Sequence, residues 1–405
     1  MKRMILSWTT VLLLAASANA LAMDMGGVTI HGFISQGFLI SNEYNYLSHK
    51  STDGSFEYNE MGINFSKELT DKLRVGVQFF ARDIGDAAKN KVTLDWAYGD
   101  YRFRDWLAMR AGKIKMPYGL YNEIRDYDFL RTSIVMPQTI YNDLLRDTVI
   151  ALNGVGPYGN VPIGRAGSID YFGLTGALDP DLDSGYGKWV TSNFTGSEIS
   201  TKPPYTTSYI GMLKWNTPLP GFMVGGFIIK TSSTLPLSLA NGSTLSVSAE
   251  AVAWSVGMEY AWRNLLVSVE YFVSDAETEF ILIDNQGIPQ PRSSQDPSSE
   301  QYYLSASYRF TDWFELGAYY SPYYPNSDDK DGNNFKNTPP SLGGPLPDHL
   351  AWQKDIALSC RFDITEGWTF KIEGHKVDGA AQVLAVDNPD RSEPDWYYGA
   401  ANSNF

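Results

Sequence analysis

The chain has 405 residues, 43% hydrophobic and 14% aromatic, with 46 acidic residues against 32 basic ones and a formal net charge of −14. That acidic balance argues against nucleic-acid binding, and a single cysteine, Cys360, excludes an intrachain disulfide. Past the first residues, no apolar run approaches the roughly twenty residues that a helical membrane span needs.

The chain opens with Lys2 and Arg3, then an apolar stretch centred on residues 11–16, then the overlapping small-x-small sites Ala18-Asn19-Ala20 and Ala20-Leu21-Ala22. This is the pattern of a cleaved export signal over residues 1–22, cut after Ala20 or Ala22, which leaves 23–405 as one domain outside the bacterial cytoplasm. The stretch is too short to anchor the chain as a helix. Removing Lys2 and Arg3 leaves 30 basic residues against 46 acidic ones, a net of −16.

Strict alternation then predicts strands near 28–40, 56–68, 72–82, 91–103, 106–114, 147–155, 166–176, 205–216, 222–230, 247–262, 265–275, 300–310, 313–322, 351–363, 368–378 and 396–405. In 73–79 the odd positions Leu73, Val75, Val77 and Phe79 are apolar, while Arg74, Gly76, Gln78 and Arg82 follow the even phase. The same reading sets Val92, Leu94, Trp96 and Tyr98 against Lys91, Thr93 and Asp95, and Leu265, Val267, Val269 and Tyr271 against Ser268 and Glu270. A soluble sandwich would turn the bulky face inward; a membrane barrel turns it to lipid.

The links decide between the two. Five share one punctuation, a strand-like run, a polar turn and an aromatic or apolar restart: Glu68–Leu73, Tyr101–Trp106, Tyr260–Leu265, Tyr308–Trp313 and Arg361–Trp368. A looser sixth runs from Lys214 to Phe222. These short links, with a longer one at 156–165, alternate with long ones at 41–55, 83–90, 115–146, 177–204, 231–246, 276–299, 323–350 and 379–395. Sixteen strands with this asymmetry predict an all-β, transmembrane antiparallel β-barrel, with short periplasmic turns, long external loops and aromatics at the membrane interfaces.

The third long link carries Lys115, Arg125, Arg131 and Arg146 beside Glu123, Asp126, Asp128 and Asp143, together with Met116, Ile134, Val135 and Met136. Such a segment suits a wall better than open water. It reads either as an external flap or subunit contact, or as a pore-narrowing loop folded into the lumen.

The stretch Arg110-Ala111-Gly112-Lys113-Ile114-Lys115-Met116-Pro117-Tyr118-Gly119-Leu120-Tyr121-Asn122-Glu123-Ile124-Arg125-Asp126 resembles the strand-to-third-loop segment of Gram-negative porins, and Val28-Thr29-Ile30-His31-Gly32-Phe33-Ile34-Ser35-Gln36-Gly37 is similar to their first strand. The likeness points to the general porin superfamily and its phosphate-selective porin O/P-like and DcaP-like branches. It implies a sixteen-stranded outer-membrane channel for small hydrophilic solutes or ions, usually a homotrimer set in outer-membrane lipid, with the third loop as the eyelet. Phosphate-selective members line the pore with a ladder of cations. Here Arg74, Arg82, Arg110 and Lys371 are offset by Asp95, Glu259, Glu270 and Glu373, which counts against that selectivity. Phe405 matches the terminal aromatic of such barrels, but Ser403, Ala401 and Gly399 lack the alternating apolar residues, so the insertion signal is degenerate or the natural chain runs a few residues further.

Strand phase and the resemblance together nominate Arg74, Arg82, Asp95 and Arg110 on the wall, and Lys115, Glu123, Arg125 and Arg131 from the third loop, as pore-lining or constriction residues. No catalytic residue, metal site or cofactor is expected. The four histidines (His31, His49, His349, His375) lack metal-ligand spacing, and no nucleophile elbow or phosphate-cradling glycine loop occurs. His375 beside Glu373 reads as a lumen-wall pair. Asp179-x-Asp181-x-Asp183 and Asp328–Gly332 lack the full calcium-loop pattern and read as solvated external loops. An outer-membrane enzyme and a soluble secreted β-sandwich that binds carbohydrate are the competing readings.

Overall fold

The computed structural model describes residues 23–24, 26–178, 180–194, 197–199, 205–339 and 344–405; the export signal expected over 1–22 lies outside them. Sixteen long strands among these residues form one antiparallel sheet. They are β1 Thr29–Ser41, β2 Asn59–Thr70, β3 Leu73–Asp83, β4 Thr93–Arg104, β5 Leu107–Lys115, β6 Ala151–Pro162, β7 Ser168–Leu178 and β8 Tyr205–Asn216, then β9 Phe222–Leu239, β10 Thr244–Trp262, β11 Leu265–Ile283, β12 Ser298–Thr311, β13 Phe314–Tyr324, β14 Gln353–Thr365, β15 Trp368–Gly379 and β16 Asp395–Asn404. Each pairs with its sequence neighbour, and β16 pairs back onto β1 from Tyr398↔Ser41 to Asn404↔Ser35. Ile34 and Phe405 then exchange both backbone hydrogen bonds, at 3.1 and 2.8 Å. Closure leaves no strand edge, so the spanning backbone pairs within the sheet rather than with water. The sandwich reading is thereby set aside.

The recurring punctuation has a structural cause. At four of the short turns the register slips by one residue, between Glu68 and Thr70, Arg102 and Arg104, Arg309 and Thr311, and Asp363 and Thr365. The extra residues, Leu69, Phe103, Phe310 and Ile364, are each about half exposed on the outer surface. A bulge re-aims a side chain at a barrel rim, and these four supply apolar groups to the interfacial belt. Rings beside the turns meet there: Tyr308 and Phe310 lie 4.8 Å apart, and Trp313 stacks on Phe362 at 6.3 Å. Amphipathic and aromatic rings are favoured at this depth.

Three expectations need correction. Strand β6 runs Ala151–Pro162 rather than 147–155, and its turn sits at residues 163–167, where Gly164 and Gly167 take positive φ. Strands β9, β10 and β11 reach 18, 19 and 19 residues, against about 9–11 for a membrane crossing, so most of the link expected at 231–246 is paired strand ending in a tight turn at Gly242. The projecting hairpins pack Leu235, Leu237 and Val247 against Val190 of the external helix α1, Gly185–Asn193. Finally, Trp96 and Tyr98 face the lumen, not lipid. A bulge opposite Gln78 and Phe79 pairs Trp96 with Gln78 but Leu94 with Phe79, so the face flips at Asp95.

Candidate channel constriction

The largest buried clusters lie inside the barrel, where residues 116–150, the third external loop, fold back onto the inner wall. Its apolar residues explain why: Ile134 and Val135 join a cluster with Leu39, Val377 and Trp396, and Met136, Ile140 and Tyr141 pack on Phe227, Phe272 and Tyr303. The flap reading is therefore replaced by a loop inside the lumen. Its entry depends on Gly119, with φ +63°; a Cβ there would lie 2.5 Å from the Tyr141 hydroxyl and 3.0 Å from Glu270 Oε1. Only glycine fits that approach at positive φ without strain.

Wall residues hold the loop from two sides. On β11, Glu270 accepts from the Tyr141 hydroxyl at 2.7 Å and the Leu120 N–H at 3.3 Å. On β15, Glu373 accepts the N–H groups of Ile134 and Val135, both at 2.8 Å, and Lys371 donates to the carbonyls of Asp128 and Ser133 at 2.5 and 3.1 Å. Thr139 and Ser321 share a hydroxyl hydrogen bond at 2.7 Å, and Asn402 donates to Asp128 at 2.7 Å. From the other side, Arg82 on β3 donates to the Asp143 carbonyl at 2.6 Å. The loop crosses the lumen rather than lining one wall.

Charge is neutralised locally within this crossing. Asp126 lies 2.6 Å from both Lys115 and Arg146, and Arg146 lies 2.9 Å from Asp95. Gln78 donates to Asp95 at 2.9 Å, and the Arg146 guanidinium sits 3.9 Å over the Phe80 ring. Arg125 pairs with Asp143 at 2.9 Å, Arg131 with Asp128, and Arg82 with Asp147 at 3.5 Å. Burial alone would raise the Asp126 carboxyl, but Arg146 and Lys115 outweigh it and hold it well below the usual carboxylate range. The Asp147 carboxyl is likewise lowered, burial being outweighed by Arg82 and Arg146. Buried ion pairs survive desolvation only when closely matched and hydrogen-bonded, as this network is.

Of the eight nominated residues, Arg82, Asp95, Arg125 and Arg131 are thus compensated side chains that hold the loop. The other four, Arg74, Arg110, Lys115 and Glu123, line an inner chamber of 1160 Å³ that opens toward the short turns and Phe405. Arg110 lies between the rings of Tyr98 and Tyr158, at 4.4 and 4.7 Å, and 3.2 Å from Asp100. Arg74 and Glu123 are exposed to the chamber, and among the described residues neither side chain has an ion-pair partner within 4 Å. Sequence reasoning missed Arg361 on the chamber wall, which bonds Asp363 at 2.8 Å and the Phe129 carbonyl at 2.6 Å. Its even spacing from Lys371 across a hairpin was the available signal. His375 and Glu373 form the expected wall pair at 2.9 Å, and Asp355 holds the other ring nitrogen at 3.0 Å. An outer chamber of 490 Å³ lies on the opposite side of the loop, under the long external loops.

A sequence model described as Gram-negative porin matches residues 9–402 of the chain. Among solved structures, the outer-membrane channel DcaP of Acinetobacter baumannii is similar, with 12% identity, a TM-score of 0.55, and coverage of 96% of this chain and 100% of that one. The anion-selective porin from Comamonas acidovorans has 11% identity, a TM-score of 0.52, and coverage of 93% and 100%. The trimer form of OmpT, an outer membrane protein of Vibrio cholerae, has 10% identity, a TM-score of 0.52, and coverage of 94% and 99%. At such identities the likeness speaks for the fold. No curated protein matches.

Proposed function

This chain belongs to the Gram-negative porin family, and on that premise we propose how its channel discriminates among solutes. It is an outer-membrane barrel that passes small hydrophilic solutes by passive diffusion, and family and fold indicate a channel rather than an enzyme. The observation that carries the proposal is the third loop tied across the lumen by Glu373, Lys371, Glu270 and Arg82. This loop sets the narrowest passage.

The charges that bias ions are those lining the inner chamber: Arg74 and Glu123, which have no ion-pair partner among the described residues, then Arg110, which shares Asp100 at 3.2 Å, and Lys115, paired to Asp126 at the loop's root. Fixed charges at a narrow wet passage concentrate counter-ions and repel co-ions. Arg82, Asp95, Arg125 and Arg131 act instead by holding the loop, because each is paired within it or to it and none lines that chamber. The protein assembles as a homotrimer, a reading supported by the resemblance and by the trimeric OmpT. Mature chains begin after Ala20 or Ala22, which N-terminal sequencing of membrane-extracted protein checks. Reversal potentials across planar bilayers under a salt gradient test the charge assignment. Arg74→Gln and Arg110→Gln shift selectivity toward cations and Glu123→Gln toward anions; unchanged potentials in all three sink it.

A further inference from the structure

The chambers on the two faces of the third loop differ in chemistry. Eight Asp, Glu, Lys and Arg side chains line the inner one; among the described residues lining the outer one, Arg391 alone is charged. The outer chamber is instead bordered by amides, hydroxyls and rings. Its volume of 490 Å³ falls within the range of about 300–1,000 Å³ usual for small-molecule sites.

Its polar groups are not used up by the protein. Gln301 on β12 lines the chamber, and among the described residues its side chain makes no hydrogen bond. Among the described residues, the hydroxyls of Ser274 and Ser299 on the wall and of Tyr323 on β13 make no side-chain hydrogen bond, and neither does the Asn142 amide nitrogen. Trp189 of α1, a large ring 37% exposed, also lines this space. A solute that fills this chamber needs groups that both donate and accept, and a C–H face for the ring. Hydroxyls meet the first demand, and the apolar face of a pyranose meets the second. Arg391, the one charged group among the described residues lining the chamber, donates to the Val383 carbonyl at 3.1 Å.

We propose that the outer chamber is a binding site for uncharged polyhydroxylated solutes of mono- to disaccharide size, with Trp189 as the stacking face and Gln301, Asn142 and Tyr323 as hydrogen-bonding groups. The site would capture such solutes above the third loop before they cross. Its role in uptake rests on the channel function; its capacity to bind does not.

Maltose is the probe, with purified full-length protein in two assays: titration calorimetry in detergent and ion current in planar bilayers. Maltose is expected to release heat and to reduce the current in a concentration-dependent way. Trp189→Ala and Gln301→Leu each weaken both effects about tenfold, the size of one good aromatic or buried polar contact, while maltose-free conductance stays unchanged. Trp189 lies on an external helix and Gln301 on a strand, so if one variant does not fold the other still tests the site. Normal conductance with neither heat nor block by maltose overturns the proposal. So does gluconate binding more tightly than maltose with loss in Arg391→Gln, which would make the chamber an anion site. Heat from maltose without any conductance step keeps the site and removes the channel.

Discussion

Glu373 accepts the backbone N–H of Ile134 at 2.8 Å, joining two residues 239 positions apart and fixing the midpoint of the third loop to strand β15. The same carboxylate takes the Val135 N–H at 2.8 Å, the Ser359 hydroxyl at 2.5 Å and His375 Nε2 at 2.9 Å. Glu373→Ala removes all four at once. Hydrogen bonds to a charged acceptor contribute about 1.5–3 kcal/mol each, so the loop's midpoint should come free while the sixteen-stranded wall persists. The expected result is a noisier channel of larger unitary conductance, with β-sheet circular dichroism and heat-modifiable mobility retained. Single-channel recording beside a gel-shift assay checks it.

Asp126→Asn has a different target. It leaves Arg146 and Lys115 buried with one carboxylate fewer, and breaking a buried ion pair from one side costs about 3–5 kcal/mol. Much of that should appear as local opening of residues 116–150 rather than as unfolding of the barrel. Limited proteolysis of the folded protein, read by mass spectrometry, should show new cuts confined to this loop.

Acid should act through the same carboxylates. The Asp126 and Asp147 carboxyls are held below their ordinary range, so the stability they add is fully present above the unfolded carboxyl pKa of about 3.9. It drains away as pH falls from there through their lowered folded values. Loop protection against protease should therefore hold from neutral pH to about pH 4 and decline below it. Asp126→Asn, lacking one of the two groups, should show a shallower decline. A loss of protection between pH 7 and 5 would contradict the linkage.

Gly119→Ala tests the loop's entry without touching a charge. The added methyl would sit against the Tyr141 hydroxyl and Glu270 at a φ of +63°, a strain of about 1–3 kcal/mol. Melting in detergent should fall slightly, and protease sensitivity at residues near 119 should rise. Gly99→Ala, where a Cβ meets nothing within 4 Å, serves as the matched control.

Most of the barrel was legible in the chain because period-two alternation and the turn chemistry are local signals. Leu265 to Tyr271 or Tyr302 to Phe310 state their outward face directly. The errors came where geometry is set by a neighbour. Nothing in residues 91–98 announces the bulge at Asp95 that turns Trp96 and Tyr98 inward. The serine- and threonine-rich ends of β9 and β10, and the glutamate-bearing end of β11, satisfy a strand pattern without saying where lipid stops. At the constriction, the residue types were readable but their partners were not. Lys115, Asp126, Arg146 and Asp95 neutralise one another only once the loop has folded back onto β3 and β4. Arg125 and Arg131, which look like pore charges in sequence, pair with Asp143 and Asp128 in the fold.

The most direct test of a diffusion channel narrowed by its tethered third loop is single-channel current through planar bilayers for the purified protein and for Glu373→Ala. Stepwise conductance in the parent protein and larger steps in the variant are the predicted result. Folded protein that gives no steps, or steps of equal size in both, would contradict it.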